Sequence, residues 1–371
     1  ILALEDGTIF EGNGFGHPCE VSGEVVFNTG MVGYPESLTD PSYYGQILVQ
    51  TYPLIGNYGK SSGKIIDNFG IPLHFESDKI QVTGYAISEL QTNPNHWAIE
   101  KTLDEWLKEE KKPGIYGIDT RELTKKLRIK GVMLGILKVA EEIDIEEIKS
   151  KANSIEDPNT KDLVKPVTVE KPIEYNSGSS PRVVLIDCGV KFGIIRNLLA
   201  RKADVIRVPY DYSADKVLDY KPSGVVISNG PGDPKKCEKT IDTVASLLET
   251  NLPIMGICLG VQILALASGG NTFKLKFGHR AQNHPCIDLK TKRCYITTQN
   301  HGYSIEPNSL TDGFEVSFVN ANDKTVEGIR HRTKSIFGAQ FHPEASPGPY
   351  ETGFLFDNFL NEVIKYHEMQ I

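Results

Sequence analysis

Pro253-Ile254-Met255-Gly256-Ile257-Cys258-Leu259-Gly260-Val261-Gln262-Ile263-Leu264-Ala265-Leu266-Ala267 reads as a short apolar strand, a tight turn holding one cysteine between glycines, and then an apolar helix. A strand that turns straight into a helix is the building unit of a parallel sheet. The same alternation extends upstream: Val183-Val184-Leu185-Ile186 as strand, 193–203 as helix, Asp204-Val205-Ile206-Arg207-Val208 as strand, and Val225-Val226-Ile227 as another. It predicts an α/β fold, a doubly wound and mostly parallel sheet over 182–371, with its site at the carboxyl ends of the strands. Cys258 then sits at the positive end of a helix, where free N–H groups and the macrodipole favour a thiolate. Gly256 and Gly260 read as leaving room for a substrate to approach the sulfur. Taken alone, the segment also fits an ordinary buried cysteine.

Two further segments give the cysteine company. Gln340-Phe341-His342-Pro343-Glu344 follows the strand-like Ser335-Ile336-Phe337-Gly338-Ala339. A Cys-His pair needs an imidazole to carry the thiol proton and a third group to orient it, and Glu344 can serve as that orienter. Pro343 fixes its own φ and keeps His342 extended, so both groups are presented from a stiff strand end. The run Val225-Val226-Ile227-Ser228-Asn229-Gly230-Pro231-Gly232-Asp233-Pro234 is a buried-type strand ending in a Gly-Pro-Gly loop. By itself that loop is also a common turn.

Gly-Ile-Cys-Leu-Gly-Val-Gln with Gln-Phe-His-Pro-Glu resembles the class I (triad) glutamine amidotransferases. Upstream, the run from Glu24-Val25-Val26-Phe27-Asn28-Thr29-Gly30 through Tyr34-Pro35-Glu36-Ser37-Leu38-Thr39-Asp40-Pro41-Ser42-Tyr43 to Tyr52-Pro53-Leu54-Ile55-Gly56-Asn57 closely resembles the small, glutamine-hydrolysing subunits of carbamoyl-phosphate synthetases, as do Gly117-Ile118-Asp119-Thr120-Arg121 and Gln299-Asn300-His301-Gly302-Tyr303. The resemblance implies a catalytic set of Cys258, His342 and Glu344. Backbone at Gly232 and Leu259 would form the oxyanion hole, and glutamine contacts would fall at Ser42, Gly230, Gly232, Leu259, Gln262, Asn300, Gly302 and Tyr303. It also implies a large synthetase subunit as partner, with ATP and Mg bound there and no cofactor in this chain. One departure from the family pattern is Val261, which stands where a histidine is usual.

Composition narrows the field independently. Forty basic against forty-eight acidic residues in 371 give a net charge of −8, which argues against a nucleic-acid surface. No apolar run is long enough for a membrane span, and Ile1-Leu2-Ala3-Leu4-Glu5-Asp6-Gly7 looks like a strand and turn, so a cytoplasmic protein without membrane attachment is expected. Six scattered cysteines fit neither a zinc ribbon nor a disulfide scaffold. His279, His284 and Cys286 lie close together in what reads as a loop, but no second cluster completes four ligands, so no metal is expected. Gly12-Asn13-Gly14-Phe15-Gly16 lacks dinucleotide-fingerprint spacing, and no Walker A segment is present.

Residues 1–140, rich in Gly, Pro and β-branched runs, read as a smaller β-rich α+β domain. Within it Asp119 caps a helix with Glu122 at its third position and Gly131 as its stop, and Thr102-Leu103-Asp104-Glu105-Trp106-Leu107 offers a second helix. Residues 141–181, first Glu/Lys-rich and then Pro/Ser/Gly-rich, have a linker's composition. Two other classes compete with a glutaminase subunit: a noncatalytic regulatory subunit, which an intact Cys258, His342 and Glu344 oppose, and a stand-alone γ-glutamyl cysteine hydrolase, which the amino-terminal domain does not suggest.

Overall fold

A computed structural model describes residues 1–176, 181–311 and 313–370. The chain divides into two compact units, Ile1–Lys161 and Asp162–Ile371. Among the described residues no helix is long and apolar enough to cross a membrane.

The first unit is built on an eight-stranded sheet. Strand Glu20–Asn28 lies at its middle, antiparallel to Met133–Lys138 on one side and parallel to Gln46–Gln50 on the other. Val26, Leu48 and Tyr85 pack with Tyr34, Leu38, Trp106 and Leu107 in one core. Thr102 opens helix Leu103–Glu109 with a complete capping box to Glu105, satisfying two otherwise orphaned donors. Asp119 caps helix Thr120–Lys130 through the Glu122 N–H, and Gly131 ends it at φ 112°. Ser42 occupies the turn Pro41–Tyr43, its N–H held by Asp40 Oδ1 at 2.9 Å.

Part of the stretch with linker composition carries regular structure. Helix Ile145–Ala152, capped by Asp144, buries Ile148 and Ala152 against Ala3 and Ile136 of the first unit. Its Glu and Lys residues are the outer face of an amphipathic helix, which is why the stretch resembles a linker in composition. Strand Ile173–Tyr175 joins the second unit's sheet, and Ser177-Gly178-Ser179-Ser180 lie outside the described residues.

The second unit has a ten-stranded sheet with two halves. Five strands, Asp204–Pro209, Arg182–Asp187, Gly224–Ile227, Ile254–Ile257 and Ile336–Ala339, run parallel in that spatial order. Their continuous Val/Ile runs suit strands covered on both faces. Val184, Val225 and Ile254 belong to a core shared with Val261, Ile263 and Leu264 of helix Leu259–Ala267. Helix Phe354–Gln370 buries Phe356, Phe359, Leu360 and Val363, the stripe that its spacing predicts.

Beyond Ile336–Ala339 the sheet turns antiparallel, through Val326–His331, Phe314–Asn320, Thr272–Asp288 and Cys294–Ile305. His279, His284 and Cys286 therefore lie on a long strand and not in a loop. The register shift between Lys274 and His279 takes in Gly278, and Pro285, the other residue that imitates loop punctuation, pairs with Ile296 just past the shift between Ala281 and His284. Cys294 is exposed at the start of the last strand.

Candidate active site

Cys258 joins strand Ile254–Ile257 to helix Leu259–Ala267 at φ 54°, ψ −106°, a conformation that side chains avoid. Such a residue stores about 1–3 kcal/mol and persists only where its surroundings over-determine it. Here its N–H donates to Ala339 O at 2.8 Å, while its carbonyl accepts from the Val261 N–H at 3.2 Å. The flanking glycines complete the constraint, and the reason differs from the one read in the sequence. A Cβ on Gly260 would lie 2.1 Å from Ile227 O, and one on Gly256 would lie 2.6 Å from Gly260 O. The space they leave is filled by neighbouring backbone, so they seat the helix on the strands and do not hold a place for substrate.

The thiol is 1% exposed. Its Sγ donates to Asn300 O at 3.6 Å and accepts from Gln340 Nε2 at 3.7 Å. His342 comes from the loop after strand Ile336–Ala339, and its N–H is anchored to Thr298 O at 2.9 Å. Its Nδ1 meets Glu344 Oε1 at 2.6 Å, so the carboxylate orients the ring and leaves Nε2 clear of that contact. Nε2 is buried without a hydrogen-bond partner among the described residues.

Lys191 Nζ pairs with the same Glu344 oxygen at 3.0 Å, with both side chains buried. Burial resists charging His342, but the Glu344 carboxylate and then the Cys258 sulfur outweigh it and hold the imidazole up at about 10. Burial likewise opposes the Glu344 charge, yet Lys191 and His342 bring that carboxyl down to about 2. The assembly is an anion between two cations, with the thiol beside one of them. It holds His342 as an imidazolium at neutral pH beside the sulfur.

Lys191 gives no local signal in the sequence beyond a cation set between Val190 and Phe192. Its delivery depends on two other buried polar residues. Asp187 ends its strand by accepting the Gly189 and Val190 N–H groups at 2.9 and 2.8 Å, and Asn229 Oδ1 accepts the Lys191 N–H at 3.0 Å. Gln340 likewise has no signal in the sequence beyond its place in the motif. It is fully buried and takes the Gln262 amide on its Oε1 at 3.0 Å.

The Gly-Pro-Gly loop follows strand Gly224–Ile227 as expected. A Cβ on Gly230 would come 2.0 Å from Cys188 O, and Gly232 adopts φ +87°. Both positions demand glycine, the first for want of space and the second for its backbone conformation. The Leu259 N–H opens the elbow helix, where amides lack intrahelical partners.

Asn300, Gly302 and Tyr303 lie within strand Cys294–Ile305 and do not form a hairpin turn. Gln262 is buried, its Nε2 donating also to Tyr303 O at 2.9 Å. The second unit thus gathers Cys258, His342, Glu344, Gln262 and Asn300, with Gly302 and Tyr303 on the same strand as Asn300; Ser42 belongs to the first unit. His301 is buried against His279. Burial and the neighbouring His279 push it well below its ordinary range, and its Nδ1 is committed to Tyr303 O at 2.7 Å.

Comparison with known proteins shows which families the two parts of the chain resemble. Residues 184–362 match the family described as glutamine amidotransferase class-I, and residues 2–137 match the carbamoyl-phosphate synthase small chain, CPSase domain. The chain is 50% identical over 363 residues to the carbamoyl phosphate synthase small chain of Methanopyrus kandleri, covering 97% of each. It is 50% identical over 364 residues to that of Methanocaldococcus jannaschii, covering 97% of this chain and 98% of the relative. To the arginine-specific small chain of Chaetomium globosum it is 46% identical over 369 residues, 99% of this chain and 79% of that one.

Proposed function

The chain belongs to the carbamoyl phosphate synthase small-chain family and carries a class-I amidotransferase domain, and from that premise we propose that it hydrolyses L-glutamine and passes the ammonia to a large synthetase subunit, which makes carbamoyl phosphate from bicarbonate and ATP. The observation that carries the reading is the buried array of Cys258, His342, Glu344 and Lys191 behind a strained elbow.

In this mechanism the Cys258 thiolate attacks the side-chain amide carbon of glutamine. The N–H groups of Gly232 and Leu259 receive the charge that develops on oxygen, a contribution of about 10²–10³ in rate per donor. His342 gives its proton to the leaving nitrogen, ammonia departs, and a γ-glutamyl thioester remains. A water molecule then surrenders a proton to the same imidazole as it attacks the thioester, releasing glutamate and restoring the thiolate. Glu344, held by Lys191, orients His342 throughout. Ser42, Gly230, Gln262, Asn300, Gly302 and Tyr303 would position the substrate. ATP and magnesium are expected on the large partner, and a cytoplasmic location fits a chain that works beside it.

Ammonia released into bulk water would be protonated at neutral pH and lose the lone pair it needs, so delivery requires an enclosed route. Isotope dilution tests this: the complex is given labelled glutamine with excess unlabelled ammonium, and retention of the label in carbamoyl phosphate is the expected result. Full equilibration with the bulk pool would refute channelling. A parent chain with no glutaminase activity, alone or with its partner, would refute the reaction itself.

A further inference from the structure

The antiparallel half of the second unit buries a group of acceptors that the reaction above does not use. His279, on strand Thr272–Asp288, is joined by His301 of strand Cys294–Ile305 and Glu327 of strand Val326–His331, all three buried, with one donor atom from each within 4.8 Å of the others.

Each side chain is held from behind by a partner that aims its free atom inward. His279 Nε2 donates to Asp323 Oδ2 at 2.8 Å, and its Nδ1 faces Glu327 Oε1 at 3.4 Å. His301 Nδ1 donates to the Tyr303 carbonyl at 2.7 Å, leaving Nε2 as a lone pair. Asn320 Nδ2 donates to Glu327 Oε1 at 2.9 Å, leaving Oε2. His279 Nδ1 and Glu327 Oε2 have no hydrogen-bond partner among the described residues, although the two residues are 6% and 0% exposed. A fourth acceptor makes the conflict sharper. Gln299 gives its amide nitrogen to Thr297 Oγ1 and Cys286 Sγ, so its Oε1 faces His301 Nε2 at 3.2 Å, one lone pair against another.

Buried acceptors that converge in this way require a cation among them, either a proton on His279, whose Nδ1 lies 3.4 Å from Glu327 Oε1, or a metal ion. A carboxylate or carbonyl behind each imidazole is the outer shell that metal-bound histidines carry. Two imidazoles and one carboxylate are a donor set of zinc, whose ligand atoms stand about 3.3 Å apart, so the three side chains would close in by roughly 1 Å. We propose that His279, His301 and Glu327 bind a zinc ion. The ion would pin three strands together at His301, the residue between Asn300, whose carbonyl takes the Cys258 S–H, and Gly302.

The test uses the full chain carrying Cys258→Ser, so that the reactive thiol cannot bind metal. After stripping with a chelator it is titrated with zinc chloride against a chromophoric competitor. The expected result is about one equivalent bound and a raised melting temperature. Adding Glu327→Gln or His279→Gln should abolish the high-affinity site, and adding Asp323→Asn should weaken it about 10–100-fold. Uptake below about a tenth of an equivalent, or uptake unchanged by Glu327→Gln, would overturn the proposal. The first outcome does not depend on any of the three cluster substitutions folding, and it would mean that a proton on His279, in place of zinc, serves the carboxylates.

Discussion

The two halves of the second unit's sheet hold their polar chemistry in different places. In the parallel half it stands where strands end: Cys258 after Ile257, the 230–232 loop after Ile227, His342 just beyond Ala339, and Lys191 shortly after Asp187. In the antiparallel half it lies inside strands, with His279 in Thr272–Asp288 and Asn300, His301 and Gly302 in Cys294–Ile305. Turn-borne groups can be aimed individually, by a strained φ or a bare glycine. Groups within a strand share one backbone, so they set the shape of a wall. The parallel half should therefore govern turnover, and the antiparallel half should govern substrate fit.

The sharpest test removes groups from the parallel half. Cys258→Ser and His342→Asn should each lower glutamine hydrolysis by about 10³-fold or more while far-UV circular dichroism is unchanged. Ammonia-dependent synthesis by the assembled complex should survive both. Near-parental hydrolysis in either variant would overturn the assignment.

Glu344→Gln and Lys191→Met should be milder, about 10–10²-fold in kcat, because they act through His342. Glu344→Gln should also change how stability depends on pH. The carboxyl sits at about 2 against an ordinary 4.5, so its contribution is present above 4.5 and is lost as pH falls toward 2. His342 sits at about 10 against 6.5, so its contribution is full below 6.5 and lost as pH rises through 10. Denaturant titrations across pH should show both limbs flattened in the variant; unchanged limbs would mean that the pair is not coupled.

The complementary substitution lies on the antiparallel wall. A Cβ on Gly302 would stand 3.2 Å from Arg280 Nη2. Gly302→Ala should raise the KM for glutamine about tenfold with kcat within about threefold of the parent. A loss confined to kcat would erase the distinction between the halves.

The smallest effect on rate is expected at Val261, where the family usually has histidine. Val261 is fully buried, and its Cγ2 lies 2.5 Å from where a Gly338 Cβ would be. Val261→His should change hydrolysis less than about tenfold, while overpacking lowers stability by about 1–3 kcal/mol in denaturant unfolding. A large gain in rate would show that the imidazole has a role in proton transfer after all.

The same contrast explains what could be read from the sequence. In the parallel half the strands are short apolar runs, three of them followed within a few residues by glycine, so Cys258, the Gly-Pro-Gly loop and His342-Pro343-Glu344 announce themselves over a few residues. Helix starts at Thr102 and Asp119 are legible for the same reason, since a cap is a local signal. Lys191 is not, because the carboxylate it pairs with, Glu344, lies far along the chain. Gly256 and Gly260 were noticeable but invited the wrong cause, as only the packed strands reveal the backbone they admit. Long bulged strands containing Gly278 and Pro285 imitate a loop, and the partners of His279 lie on other strands. Asn300, Gly302 and Tyr303 stood out through family resemblance and not through any periodicity of their own.

The uneven burial of the cysteines has a practical use. Cys188, Cys237, Cys258 and Cys286 are buried and Cys19 is half-buried, whereas Cys294 is exposed. A bulky maleimide dye should therefore favour Cys294, and replacing Cys19 would leave it as the single open sulfur. That attachment point begins the strand that runs on to Asn300. A fluorophore there would report in real time, by its polarisation and colour, when glutamine or a partner protein changes the surroundings of that strand, without occupying the sulfur assigned to the chemistry.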